Sequence, residues 1–161
     1  MTVNDLAACF RQEIELAAGI VRTLDEQQQA LLRLDLAGLE ASVPALEKLT
    51  DELRQAEGRR EATARALAGE HELDGATPLR GLLAVLPAPE RRELEQARQR
   101  LGFLIEEICH RNHANYVLML NAARFNRAIL QFVAGTAATY ARDGVQAEVG
   151  EARPLILNKE A

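Results

Sequence analysis

The sequence has few of the residues that build disulfide frameworks, zinc knuckles or aromatic cores. Only two of its 161 residues are cysteines, aromatic residues make up 4%, and tryptophan is absent. Cys9 and Cys109 stand far apart and form no CxxC pair, which predicts neither a disulfide scaffold nor a zinc site. Both lie at or beside apolar seams, where burial suppresses the thiolate, so we interpret them as structural thiols.

Long hydrophobic runs are also missing. The longest, such as residues 16–21 and 82–86, are far shorter than the ~20 residues that cross a bilayer, so no membrane insertion is predicted. The first 15 residues carry acids early and lack a basic region followed by an apolar one, which indicates no secretory signal. We therefore expect a cytoplasmic protein.

An excess of positive charge and the common catalytic motifs are lacking as well. The formal net charge is −5 and the sequence pI is about 5.3, whereas a domain that neutralises phosphates normally carries a basic patch, so nucleic acid is not an expected partner. The sequence contains no G-x-S-x-G, no glycine-rich phosphate loop and no HExxH. It therefore predicts no catalytic residue and no cofactor.

The sequence is rich in the residues of long helices. Hydrophobic residues make up 48% and charged residues 27%, and Ala, Leu, Glu, Arg and Gln dominate, which favours an all-α fold. A length of 161 residues suits one domain. We predict a domain over residues 1–144 and a flexible tail over 145–161, because Gly144 is a natural helix terminator and the tail has weak periodicity.

The first 30 residues follow a seven-residue repeat that predicts a helix packed lengthwise on a partner. Asn4 or Thr2 is a suitable N-cap. The repeat places one seam at Val3, Phe10, Ala17, Leu24 and Leu31, and the interleaved seam at Ala7, Ile14, Val21 and Gln28.

A second helix follows a short joint, so the first two helices should form an antiparallel hairpin. Asp35 is a plausible N-cap for it, but Pro44 favours a start at that proline, because proline is best tolerated in the first helical turn. The helix should end near residues 69–75. Thr77 followed by Pro78 then indicates the start of a short helix that caps the open end of the hairpin.

The last helix is predicted from about residue 90 to about residue 142, with Gly144 just beyond it. Arg111, Asn112 and Asn115 interrupt its apolar stripe, which predicts either a bend or a section facing water. The stripe itself consists of Leu94, Leu101, Leu104, Ile108, Leu118, Ala122, Phe125, Ile129, Phe132 and Thr136. The predicted architecture is a long helical hairpin, a cap helix and a third long helix in a coiled-coil-like, elongated bundle.

Glu107 and His110 form a Glu-x-x-His spacing, two copies of which build a di-iron site in a four-helix bundle. The sequence has only one copy. His113 and Glu106 lie within one turn, but a metal ion needs three or four convergent ligands. We interpret these residues as a solvated helix face and predict no metal.

A second apolar stripe in the last helix exceeds what one hairpin can cover. It runs through Met119, Ala123, Leu130, Val133, Ala137 and Tyr140, beside the stripe described above. A helix packed on one hairpin needs a single stripe about 100° wide. The wider face predicts that the cap helix, a second copy of the chain or an exchangeable partner helix covers it.

Two segments near the C-terminus resemble a known family. Residues 126–130 read NRAIL, and residues 139–146 read TYARDGVQ. With the hairpin, short central segment and long final helix, they make the chain similar to the FlgN family of flagellar type III export chaperones, which serve the hook–filament junction proteins. Ala141 stands where the family usually has glycine.

The resemblance implies a chaperone without catalytic activity. It would bind the C-terminal helical segments of hook–filament junction proteins, prevent their premature assembly and deliver them to the cytoplasmic domain of the export gate, with Tyr140 docking on the gate. The export ATPase complex and a second copy of the chain are further candidate partners. The cargo-binding side chains are predicted to be Leu118, Met119, Phe125, Ile129, Leu130, Phe132, Val133 and Ala137. The alternatives are a structural, self-associating coiled-coil protein and, ranked last, a bundle oxidase or metal carrier.

Overall fold

Four helices account for nearly all of the chain that can be described. The computed structural model describes residues 2–74 and 77–140, with side chains up to residue 133. The helices are α1 (Val3–Arg33), α2 (Leu36–Glu70), α3 (Leu79–Val85) and α4 (Ala88–Tyr140), and these residues include no strand. The prediction of an all-α fold is confirmed. Gly144 and the tail over 145–161 lie outside the described residues, so the domain boundary at residue 144 stays a prediction.

By its internal contacts, the chain divides into two units, Met1–Met119 and Leu120–Ala161. The first unit contains the hairpin. α1 begins at a capping box in which Thr2 Oγ1 accepts a hydrogen bond from the Asp5 N–H and Asp5 Oδ2 accepts one from the Thr2 N–H. The hydrogen bond from the Thr2 N–H stabilises the ionised carboxylate and lowers the pKa of Asp5.

The seven-residue repeat of α1 is confirmed for the middle of one seam and mostly wrong for the other. Phe10, Ala17 and Leu24 are buried as predicted, whereas Val3 and Leu31 at the ends of that seam are half-buried. In the interleaved seam Ala7 is buried as predicted, but Ile14, Val21 and Gln28 are only half-buried, and the buried positions lie one residue earlier, at Leu6, Glu13, Ile20 and Gln27. The sequence pattern assigned the apolar residues to the seam. It could not show that Glu13 and Gln27 find hydrogen-bond partners inside the fold, which is what allows them to be buried.

A buried ion pair joins α1 to α2. The Glu13 side chain is 2% exposed, and its Oε1 and Oε2 accept hydrogen bonds from Arg60 Nε at 2.9 and 3.1 Å. The guanidinium of Arg60 also lies 5.4 Å from the centre of the Phe10 ring, in cation–π geometry. Burial raises the pKa of the Glu13 carboxyl, and the charge of Arg60 opposes that rise.

A buried polar cluster joins α1, α2 and α4 inside the first unit. Asn115 is fully buried, and its Nδ2 donates to the Leu24 carbonyl at 2.9 Å and to Gln27 Oε1 at 3.0 Å. Gln27 Nε2 in turn donates to Ser42 Oγ at 3.2 Å. The prediction that the polar section of α4 faces water is therefore wrong for Asn115, which is buried. Of the three polar residues in that section, only Asn112 is exposed.

Paired positions along the helices fix their directions. Glu13 meets Arg60 while Gln27 meets Ser42, so α1 and α2 are antiparallel and the predicted hairpin is confirmed. One turn before Asn115 in the middle of α4, Arg111 Nε donates to Asp25 Oδ1 at 2.6 Å. Arg111 also donates to Glu107, and these two carboxylates raise the pKa of its guanidinium.

The hairpin turn begins α2 earlier than Pro44 suggested. Asp35 is the N-cap, with Oδ1 accepting from the Gly38 N–H at 3.0 Å, and α2 continues through Pro44. The prediction that the helix begins at the proline is wrong. Pro44 and Glu40, whose carbonyl loses its helical donor, are both exposed, so water can replace the missing bond.

Leu34 ends α1 in a left-handed conformation with φ 55° and ψ 35°. Its side chain is 77% exposed, so little packing compensates the strain. We expect Leu34→Gly to raise the free energy of unfolding by about 0.5 kcal/mol, because glycine adopts this conformation without a Cβ clash. Urea unfolding measures the change. The control is Leu36→Gly, also exposed but in the first helical position of α2, where glycine relieves no strain and should lower stability by up to about 0.5 kcal/mol. Equal losses in both variants would contradict the prediction.

The predicted cap helix is confirmed as α3. Its N-cap is Pro78 rather than the expected Thr77. No side chain caps the helix, because the proline side chain has no hydrogen-bond acceptor. α3 supplies Leu82 and Leu83 to the largest apolar core of the first unit, and Leu86 follows directly after it. The other buried members of this core are Leu6, Ala7, Phe10, Leu67, Ala68 and Leu94.

The two cysteines differ in environment. Cys9 is half-buried, with Sγ 3.8 Å from Thr63 Oγ1, as a structural thiol would be. Cys109 is exposed, so the interpretation of it as a buried thiol is wrong. It lies beside the half-buried Ile108 on α4 but points away from the seam.

Candidate docking surface

The described part of the second unit is a helix covered with exposed apolar side chains. We call residues 120–133 of α4 the 120–133 surface. Its large apolar side chains are 71% exposed at Phe132, 69% at Leu130, 67% at Phe125, 55% at Val133, 44% at Ile129 and 38% at Leu120. Burying one such side chain fully contributes about 1.5–3 kcal/mol, and contiguous exposed apolar surface of this kind is typical of interaction sites.

Except for Leu120, which lies outside the arc, these side chains share one side of the helix. At about 100° per residue, Phe132, Phe125, Ile129 and Val133 fall within an arc of about 100°. Leu130 and Ala123 extend the arc to about half the circumference, and Asn126 is the one polar residue inside it. The arc is wide enough to receive a helix in the way that amphipathic segments bind grooves and faces.

The sequence predicted one covered stripe and one free stripe. Leu130 and Val133, in the stripe predicted to be in excess, are exposed. Phe125, Ile129 and Phe132 were predicted to belong to a seam, but they are exposed as well, so that prediction is wrong for these three residues. Periodicity identifies apolar stripes; it cannot say where the packing ends, because both stripes continue with the same spacing.

The remaining predicted site residues lie elsewhere or outside the described side chains. In the first unit, Leu118 is half-buried and Met119 is 42% exposed. Ala137 and Tyr140 belong to α4, but their side chains lie outside the described residues. The roles of all these residues, including Tyr140 at the export gate, stay predictions.

The 120–133 surface lies in a segment of the chain that contains no acidic residue. No Asp or Glu occurs between Glu107 and Asp143, although the chain has 24 acidic residues. The 120–133 surface carries Arg124 and Arg127 and no acid. Counting charges along the chain would have found this segment, whereas the helical periodicity of apolar residues does not register it.

The first unit also has an exposed apolar patch, at the turn between α1 and α2. Leu32, Leu34 and Leu36 are 60%, 77% and 73% exposed, and Val43 on α2 is 49% exposed. Leu32, Leu34 and Leu36 lie at the turn and its two helix ends, Val43 lies two turns into α2, and the four do not form a continuous helical arc.

The candidate metal ligands do not form a cluster. His110 and His113 are exposed, and Glu107 accepts a hydrogen bond from Arg111. Within residues 2–74 and 77–140, no group of three or more His, Cys, Asp or Glu side chains is placed to hold a metal ion. None of the helices described is both long and apolar enough to cross a membrane.

Comparison with protein families gives one match. A family model described as FlgN protein matches residues 1–148, which is most of the chain. No curated protein and no solved structure matches the chain.

Proposed function

Because the chain belongs to the FlgN family of flagellar export chaperones, we propose that its 120–133 surface binds the C-terminal helical segments of hook–filament junction proteins. Binding takes place in the cytoplasm, prevents premature assembly of the cargo and precedes its delivery to the type III export gate. The observation that supports this proposal is the exposure of Phe125, Leu130 and Phe132 on one side of a helix.

The energetics suit a reversible chaperone. Each large side chain contributes about 1.5–3 kcal/mol when fully buried, but a disordered cargo segment loses about 2–5 kcal/mol on ordering. The net affinity should lie near the micromolar range, where the binding free energy is about −8 kcal/mol. Such a complex hides the apolar face of the cargo and still releases it at the gate. The chaperone itself performs no catalysis.

Delivery needs a second contact, which we assign to Tyr140. It follows the 120–133 surface on the same helix, so cargo and gate could be engaged by neighbouring parts of α4. Ala137, Leu118 and Met119 extend the proposed cargo contact along the sequence. Replacing Tyr140 should then impair export while leaving cargo binding unchanged.

The central test is a substitution in the middle of the apolar arc. We expect Leu130→Asp to weaken binding of a C-terminal peptide from a junction protein at least about tenfold, because it places a charge in a desolvated contact. Isothermal titration calorimetry measures the affinity, and circular dichroism should show unchanged helicity. Val133→Asp should act in the same direction.

The matched control is Leu36→Asp. Leu36 is 73% exposed against 69% for Leu130, but it belongs to the first unit and begins α2, where an acidic residue is favourable. This variant should bind the peptide normally. Loss of helicity in Leu130→Asp would show that Leu130 belongs to a core. If the unmodified protein does not bind the peptide at micromolar concentrations, the proposal is contradicted.

The same apolar arc also suits a second function, self-association as a structural coiled-coil protein. A tight dimer would bury Phe125, Ile129 and Phe132 against their copies. Sedimentation at several concentrations distinguishes the two. Self-association would be favoured if the protein is a dimer that does not bind cargo peptides and the Leu130→Asp variant is a monomer.

A further inference from the structure

The turn between α1 and α2 exposes apolar side chains that the fold of the first unit does not bury. Three leucines follow one another there at two-residue intervals, so the Cα atom of each lies within about 7 Å of the next. We give the name turn patch to the large apolar residues exposed here and the two exposed acids among them, which are Leu32, Leu34, Leu36, Val43, Glu40 and Glu47. Exposed apolar groups of this kind are typical of interaction sites.

The backbone of Leu34 indicates that the turn patch has a use outside the fold. Its φ of 55° lies in the left-handed region, which disfavours any residue with a Cβ and which glycine adopts without strain. The Leu34 side chain is 77% exposed, so no burial compensates this strain. Strained residues are concentrated at functional sites. A leucine that serves neither the turn nor the core is available for a contact outside this chain.

On α2, the acids of the turn patch lie among its apolar side chains. At about 100° per residue, four of the exposed residues fall within an arc of about 60°, in the order Val43, Leu36, Glu47 and Glu40. The buried Ala56 of the same helix lies about 170° from the centre of that arc. The four side chains therefore point away from the packed side of α2, and a segment lying on them would contact apolar and acidic groups together.

The two glutamates of the turn patch carry uncompensated charge. Within the described part of the chain neither Glu40 nor Glu47 forms an ion pair, whereas Lys48, the base next to Glu47, pairs with Glu52 at 4.0 Å. Residues 32–47 contain one arginine and three acids, so their formal charge is −2. The patch should therefore attract a basic segment and repel an acidic one.

We propose that the turn patch binds an amphipathic helical segment of another protein, in which apolar side chains and Lys or Arg share one side of the helix. The leucines of the patch supply the apolar contact, and Glu40 and Glu47 select the basic partner. The two glutamates are seven residues apart, about 10 Å along the helix axis, and so are Leu36 and Val43. A partner helix lying along α2 would repeat both of its residue types at the same interval. An acidic segment is rejected by like charge.

The contact should be weak and sensitive to salt. Four apolar side chains bury less than the roughly 1,200 Å² of a stable complex, so we expect a Kd of about 10–100 μM, as for a transient contact. Because both glutamates are exposed, the preference for a basic segment should shrink at 500 mM salt, where the screening length falls below about 5 Å.

Leu34→Gly tests the apolar contact and separates binding from folding. The probe is a labelled 20-residue helical peptide whose leucines and lysines each recur every seventh residue on one side. The variant should bind this Lys peptide at least about fivefold more weakly than the unmodified protein, by fluorescence anisotropy, while its urea midpoint rises. The two effects have opposite signs, so the loss of binding cannot come from unfolding. Unchanged affinity would overturn the proposal.

A charge reversal tests the selection of a basic partner. At 50 mM NaCl the unmodified protein should bind the Lys peptide at least about fivefold more tightly than a version with Glu in place of Lys. Glu40→Lys/Glu47→Lys should reverse that preference. The control is Glu15→Lys/Glu106→Lys, which changes the net charge equally at exposed positions outside the turn patch. The control variant should keep the preference, and a preference that shifts equally in both double variants would overturn the proposal.

Competition distinguishes this inference from the proposed function. The Lys peptide should not displace a bound junction-protein peptide, and displacement would overturn the inference by assigning both peptides to the 120–133 surface. Failure of the junction-protein peptide alone would overturn the proposed function and leave the inference standing. A protein that ignores the Lys peptide, but forms a dimer that Leu34→Gly dissociates or binds phosphatidylglycerol vesicles, would overturn it in favour of a second copy or a lipid surface.

Discussion

Arg60→Met should lower the free energy of unfolding by about 3–5 kcal/mol at pH 7.5, the largest loss we expect from a single substitution. Arg60 is the hydrogen-bond donor to a carboxylate that is 2% exposed. Removing it leaves the Glu13 charge buried without a partner, and an uncompensated buried charge costs far more than a solvated pair contributes. Urea denaturation followed by circular dichroism measures the loss.

The loss should depend on pH in a defined direction. Burial raises the pKa of Glu13, and Arg60 opposes that rise, so the variant carboxyl should have a still higher pKa. A carboxyl with a folded pKa above its unfolded value favours folding below the unfolded pKa, and this contribution is lost as pH rises through the folded pKa. The deficit of Arg60→Met should therefore be smaller at pH 5 than at pH 7.5.

A surface pair provides the matched control. Arg65 bonds Glu61 one turn away on α2, with side chains 63% and 49% exposed, so Arg65→Met should cost less than about 1 kcal/mol. Glu13→Leu combined with Arg60→Met should recover most of the loss, because no charge remains buried. A deficit in Arg60→Met that does not change with pH would instead assign the loss to packing of the Arg60 stem over Phe10.

Asn115→Ala should lower the free energy of unfolding by about 2–4 kcal/mol. The substitution removes the donor to Gln27 Oε1 and leaves a cavity between α1 and α4. The control is Asn112→Ala on the exposed face of the same helix, which should change stability by no more than about 0.5 kcal/mol.

A double-mutant cycle tests the cause of this loss. Gln27→Leu combined with Asn115→Leu removes both polar groups. The double variant should therefore lose less free energy of unfolding than the sum of the losses in the two single leucine variants. Strict additivity would show that Asn115 acts through its volume alone. Asn115 Oδ1 has no donor among the described residues, so the amide hydrogen of Asn115, and not its carbonyl, is what the cluster depends on.

The sequence predicted those features that depend on local chemistry. The hairpin, the α3 cap helix and the buried face of Phe10, Ala17 and Leu24 follow from periodicity and turn residues. Family resemblance supplied the assignment that the family model confirms. These signals need only the order of residues along one helix or turn.

The errors have a common physical origin. Glu13, Gln27 and Asn115 are polar, so a pattern of hydrophobicity assigns them to solvent, although partners 47 to 91 residues away in the sequence satisfy them. The exposure of Phe125 and Phe132 depends on where packing stops, which no residue type marks. Pro44 predicted a helix start only on the assumption that water could not replace the hydrogen bond that the Glu40 carbonyl loses.

The spacing of the buried polar groups on α1 has a consequence for how the helices align. Glu13 and Gln27 are two heptads apart, with the apolar Ile20 midway between them. If α1 slid by seven residues against its neighbours, Arg60 and Asn115 would each face hydrocarbon and lose their partners. An alanine- and leucine-rich seam tolerates such sliding almost without penalty. These few polar contacts thus fix the axial register of α1 against α2 and α4.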